Sequence, residues 1–126
     1  MKKVVLFLGI ALFLSGCSVP QPPYVMGKYQ HNLFLYYGGR LDDEEFLQTL
    51  LASEKEANEK GIPLAPGLYA EIGTLYLNKG NRKEAMAYYT KEGETWVQGK
   101  PFMDTLVQNL KKIPTEKTKD KVEGTK

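Results

Sequence analysis

From Tyr29 to Leu110 the sizeable apolar residues recur every three or four positions, and glycine interrupts them at Gly38-Gly39, Gly61, Gly80 and Gly99. That period belongs to α-helices turning one face to a core, and glycine just past the last apolar position is a common helix stop. Such a chain folds as a series of helices joined by short turns. Tyr29, Leu33, Tyr36 and Tyr37 mark a first helix that ends at Gly38-Gly39. Asp42-Asp43-Glu44-Glu45 crowd acid into a helix start, where the macrodipole favours negative charge; Phe46, Leu47, Leu50 and Leu51 then form the stripe of a second helix reaching Lys60. The four acids lack the alternating ligand spacing and the glycine of a calcium loop, so they read as a solvated helix start and not as a metal site. Pro66 suits the first residue of a third helix, and Gly80-Asn81 turns the chain into a fourth that runs to about Thr95. A last helix from Pro101 to about Lys112 presents Phe102, Met103, Leu106, Val107 and Leu110 on one side.

Ahead of this unit, Lys2-Lys3 and an apolar run from Val4 to Leu14 lead to Leu14-Ser15-Gly16-Cys17. The run fits the roughly 7 to 15 residues of a signal h-region, whereas a spanning helix needs about 20. The Leu-Ser-Gly-Cys stretch resembles a lipobox, where a signal peptidase cuts just before a cysteine carrying a diacylglycerol thioether. The resemblance implies that Cys17 is lipidated and becomes the first mature residue, with acyl chains that anchor the protein permanently at about 0.8 kcal/mol per buried CH₂. Ser18 stands where an aspartate would resemble an inner-membrane retention signal, which implies the outer membrane, facing the periplasm.

Cleavage removes two lysines and no acid, so 17 basic residues fall to the number of acidic ones, 15, and the net charge goes from +2 to zero. A balanced domain lacks the basic stripe that nucleic-acid binding requires. With the only cysteine consumed by lipid, the fold rests on its apolar core. The organisation expected is a signal peptide over 1–16, a lipidated tether over 17–23 stiffened by Pro20, Pro22 and Pro23, a helical domain over 24–113, and a disordered Lys/Thr/Glu-rich tail over 114–126.

Tyr69, Ile72, Gly73, Tyr76, Gly80, Ala85 and Tyr89 resemble, in order and spacing, the landmark positions of a tetratricopeptide repeat. Gly73 and Ala85 are small where two antiparallel helices cross, and the tyrosines fill the space between them. Glu92 occupies the place of the later alanine, and Val97 that of the closing proline. Tyr29 and Tyr36 precede Tyr69 and Tyr76 by forty residues, and Gly39 precedes Gly80 by forty-one, an earlier and degraded copy. The fold class expected is therefore all-α, a short tetratricopeptide-like stack of two helical hairpins plus a C-terminal capping helix.

Tyr24-Val25-Met26-Gly27-Lys28-Tyr29, Pro66-Gly67-Leu68-Tyr69-Ala70, Leu75-Tyr76 and Phe102-Met103-Asp104 resemble the landmarks of a small proteobacterial lipoprotein family of unknown function. Met26 departs from the family's usual tryptophan, and Ala65 from its first proline. Members are typically encoded beside a CsgG-like lipoprotein, similar to the curli secretion pore, and a GNA-type lipoprotein. The resemblance implies a partner in an outer-membrane secretion or trans-envelope assembly.

Three functions compete: a protein-binding scaffold, a peptidoglycan- or envelope-associated structural lipoprotein, and an enzyme. The inventory for catalysis is empty: His31 is the sole histidine, the thiol is lipidated, and no Ser or Thr lies in a nucleophile motif. No cofactor, metal, nucleic acid or small-molecule substrate is expected. The expected partners are the membrane, through lipid on Cys17, and other envelope lipoproteins or a CsgG-like pore. Tyr29, Tyr36, Tyr69, Tyr76 and Tyr89 sit at packing positions, while Tyr24, Tyr37, Tyr88 and Trp96 lie off or at the edge of the stripes and are candidates for partner binding. Lys28, Asn32 and Glu71 join them, as polar residues on the first and third helices that would line a groove in repeat geometry.

Overall fold

A computed structural model describes residues 23–113; the signal peptide, all of the tether but Pro23, and the Lys/Thr/Glu-rich tail lie outside the described residues. The fold is all-α: α1 (Tyr29–Tyr37), α2 (Asp43–Lys60), α3 (Leu68–Asn78), α4 (Arg82–Thr95), a 3₁₀ turn (Val97–Gly99) and α5 (Lys100–Lys112). Among the described residues no helix is long and apolar enough to cross a membrane.

Asp42 caps α2: its side chain accepts from the Glu45 N–H at 2.8 Å, and the Glu45 carboxylate accepts from the Asp42 N–H at 3.0 Å, a capping box. Asp43 accepts from the Tyr36 hydroxyl at 2.8 Å, and Glu44 pairs with Lys79 at the end of α3. Each of the four acids thus has a local structural partner.

The two hairpins open and turn in the same way. Gly27 and Gly67, two residues before Tyr29 and Tyr69, both take positive φ (+55° and +90°). At the turns, Arg40 N–H donates to Leu35 C=O and Asn81 N–H to Tyr76 C=O, both at 2.8 Å. Each closes a Schellman motif around a left-handed glycine, Gly39 or Gly80. The segments before the hairpins lie side by side as an isolated parallel bridge: Val25 N–H donates to Pro63 C=O, and Ala65 N–H to Val25 C=O, both at 2.8 Å.

Gly73 and Ala85 mark the close crossing of α3 and α4, as their size predicts. A Cβ on Gly73 would stand 3.0 Å from the Tyr89 ring and 3.1 Å from the Ala85 carbonyl. The larger core gathers Phe46, Leu47, Leu50, Leu64, Tyr69, Ile72 and Leu75 between α2 and α3; Ala85, Tyr89, Met103 and Leu110 form a second cluster where α5 covers α4. Tyr69 and Tyr89 are buried, and Tyr29, Tyr36 and Tyr76 pack half-buried against the core.

Two local expectations are corrected. Pro66 is not the first residue of α3: Leu68 N–H donates to Ala65 C=O at 3.1 Å, and Gly67 has φ 90° and ψ −17°. Pro66-Gly67 are thus the central pair of a type II turn, and the helix starts only after it. Phe102 is exposed, because Met103, Leu106, Val107 and Leu110 define the packed stripe of α5 and Phe102 falls on its flank.

Candidate functional site

An open groove of about 630 Å³ lies where the start of α1 crosses α2, lined by Gly27, Lys28, Asn32, Thr49, Ala52, Ser53 and Glu56. Lys28 and Asn32, four apart, share a flank of α1, and Thr49, Ala52, Ser53 and Glu56 form a short-side-chain stripe along α2. The small residues make the depression. Ser53 sits directly under Gly27, where an added Cβ would fall 2.3 Å from the Ser53 hydroxyl oxygen. The hydroxyls of Thr49 and Ser53 turn back to the Phe46 and Thr49 carbonyls, at 2.7 and 3.0 Å. Glu56 accepts from Lys60 at 2.6 Å at the rim. The groove therefore offers one ammonium, one carboxylate and an amide above a floor of small side chains, Thr49, Ala52 and Ser53, an arrangement that suits a peptide backbone with mixed charge.

A second depression continues from the first past Gly27 and is lined by Tyr24, Val25, Met26, Glu56, Lys60 and Ile62. Tyr24 meets Trp96 edge to face, with ring centroids 6.2 Å apart, and the Trp96 indole N–H donates to Leu64 C=O at 3.2 Å. The structure thus brings Tyr24 and Trp96 together and sets Lys28 and Asn32 together. It separates the remaining candidates.

Tyr37 is 78% exposed on the outer face of α1, against the edge of Tyr36. Tyr88 is not a free surface ring: it stacks on Tyr76 with centroids 5.6 Å apart, and its hydroxyl donates to Glu54 at 2.8 Å. Burial and the Glu54 carboxylate hold that hydroxyl far above its ordinary value. Lys91 donates to the same Glu54 at 2.5 Å and lies 4.6 Å from the centre of the Tyr69 ring, so this cluster ties α4 to α2. Glu71 does not join Lys28 and Asn32. It is half-buried and desolvation raises its pKa; burial first and the Glu71 charge second raise the pKa of the Tyr29 hydroxyl, so Glu71 acts on the core side of α1.

Thr49, Ala52, Ser53 and Glu56 were not among the candidates, although their spacing of three and four in an otherwise apolar and charged helix is legible in the sequence. What it could not supply is which surface faces α1. Among the described residues no three His, Cys, Asp or Glu side chains converge as a metal site.

An all-α domain that begins a few residues after a lipid attachment site, with its groove at that end, defines a membrane-anchored lipoprotein; residues 1–18 match the prokaryotic membrane lipoprotein lipid attachment site. The chain belongs to the family described as domain of unknown function DUF4810, whose profile matches residues 24–106. No curated protein and no solved structure matches it significantly.

Proposed function

We propose that this lipoprotein is a non-catalytic protein-binding scaffold on the periplasmic face of the outer membrane, an accessory subunit of a CsgG-like secretion or trans-envelope assembly. The observation that carries the scaffold role is the groove between α1 and α2, open to solvent, polar at its rim and shaped by small residues. It is held at the end of the domain next to the anchor. The parallel bridge and the matching glycines of the two hairpins support a tetratricopeptide-like relation between them, and repeats of that kind present extended binding surfaces. The expected occupant is a peptide segment of a neighbouring envelope lipoprotein or of the pore. Ser18 after the lipid cysteine, in place of an aspartate, supports the outer-membrane destination.

The test is crosslinking and recovery of the tagged, lipidated protein from cell envelopes, with Cys17→Ala as the unanchored control and Lys28→Glu with Ala52→Tyr as the blocked groove. Recovery of a pore or sister lipoprotein that both variants lose supports the proposal. Recovery of peptidoglycan fragments alone moves the assignment to an envelope-associated structural lipoprotein, and retention of the partner by the groove variant removes the groove from the binding site.

A further inference from the structure

We infer that the outer face of α1 rests on the lipid bilayer, so that the domain lies on the membrane surface in one fixed orientation and does not swing from its anchor. Phe34 and Tyr37 stand 70% and 78% exposed on this face, among the most exposed large apolar residues described. Gln30, Phe34 and Tyr37 are spaced by four and three and so form one stripe, with His31 at its margin. The core-side residues Tyr29, Leu33 and Tyr36 point to α2 and α3, and Lys28 and Asn32 face the groove. At about 100° per residue, the aromatic stripe and the groove occupy different flanks of the helix. A bilayer under the stripe leaves the groove open.

Two observations choose lipid as the occupant. The first is reach. Five residues, 18–22, lie between Cys17 and Pro23, where the described chain begins, so six steps of at most about 3.6 Å each join the two. The start of the domain therefore stays within about 22 Å of the anchored cysteine, and α1 begins six residues further on, at Tyr29. The second is charge. From Ser18 to Leu41 the sequence contains Lys28 and Arg40 and neither Asp nor Glu, although acids begin at once with Asp42. Helix α1 itself contains no acid; Asp43 accepts from Tyr36 at its core side, and Glu56 lines the groove on the other flank. Lys28 belongs to the groove flank, but an exposed aromatic stripe on a helix without acid, with the exposed Arg40 three residues past Tyr37, matches the interfacial zone of a bilayer with anionic headgroups, where Tyr and Phe sit at headgroup depth and basic residues gain from the surface potential. A single nine-residue helix would bind such a surface weakly by itself, but the Cys17 lipid holds it there at high effective concentration.

The test uses the full lipidated chain. Cys17 is the only cysteine and its sulfur is taken up in the thioether, so one introduced thiol can be labelled alone. Gln30→Cys on the aromatic stripe and Asn109→Cys on the exposed side of α5 are each labelled with an environment-sensitive fluorophore. Both are reconstituted at low density into phosphatidylethanolamine–phosphatidylglycerol vesicles carrying a shallow doxyl-lipid quencher. The expected result is quenching several-fold stronger at position 30 than at position 109, reduced when phosphatidylglycerol is omitted. Adding Phe34→Ser and Tyr37→Ser to the Gln30→Cys chain should bring its quenching down to the level of position 109. Equal quenching at the two positions would overturn the inference without relying on any variant of the stripe. Quenching that survives the double substitution, or a blue shift at position 30 that appears only at high protein density, would overturn it too, the latter in favour of a second copy of the chain.

Discussion

Glu92 is where repeat-like sequence logic and the structure give opposite answers for one substitution. The aligned repeat position calls for alanine, so Glu92→Ala looks like a repair that should stabilise the hairpin. In the structure Glu92 is 5% exposed and reaches from α4 to the start of α3, where one carboxyl oxygen accepts the Gly67 N–H at 2.7 Å. That bond fixes the type II turn from which α3 starts. Truncation loses a hydrogen bond of about 1–2 kcal/mol and the burial of one methylene, Cγ, at about 0.8 kcal/mol. Against this, the second carboxyl oxygen is buried without a partner, so its removal returns about 1 kcal/mol, and alanine's helix propensity adds a few tenths. The balance is a loss of about 1 kcal/mol, or a fall in Tm of roughly 5 °C for a domain of this size. Glu92→Gln keeps the accepting oxygen and the methylenes, and should lose less than half as much. Thermal and urea unfolding followed by circular dichroism on the chain without its signal peptide and lipid measure both variants. A Glu92→Ala protein as stable as the parent, or more so, would refute the capping role and restore the consensus argument.

Gly73→Ala should destabilise by about 1 kcal/mol in the same assay, because overpacking against Tyr89 and the Ala85 carbonyl outweighs the better helix propensity of alanine; an unchanged or higher Tm would show that the α3–α4 crossing relaxes freely. Burial holds the Glu71 carboxyl above its ordinary 4.5, so the folded chain binds that proton more tightly than the unfolded one, and stability declines as pH rises through the raised value. Glu71→Gln should therefore be more stable than the parent at neutral pH and converge with it below 4.5, which urea titrations across pH will show; parallel profiles would place Glu71 in solvent.

The helices were legible because their signals are local. Apolar residues at three and four, acids at a helix start, and glycine past a helix end act over single turns of chain, so α1, α2, α4 and α5 fall within a residue or two of the expected bounds. The start of α3 was misplaced because Pro66 fits both a helix's first residue and a type II turn, and only the conformation of the following glycine decides between them. The binding candidates divided for a different reason. Falling off a stripe says that a residue is not on the central face, but not whether a neighbouring helix covers it. Tyr88 is covered by α2 through Glu54, Trp96 is tied to Leu64, and Tyr37 is left bare.

The sequence by itself determined the lipid attachment at Cys17, the helical class, and the small residues that let α3 and α4 approach, since each depends on neighbours within one element or on a processing signal. Only the tertiary structure decided that Ser53 lies beneath Gly27 to open a groove, that Glu92 caps a helix twenty-five residues earlier, and that Phe34 and Tyr37 share an uncovered face. Those relations set the azimuth of one helix against another. Azimuth is fixed by the summed packing of many side chains, none of which carries it alone.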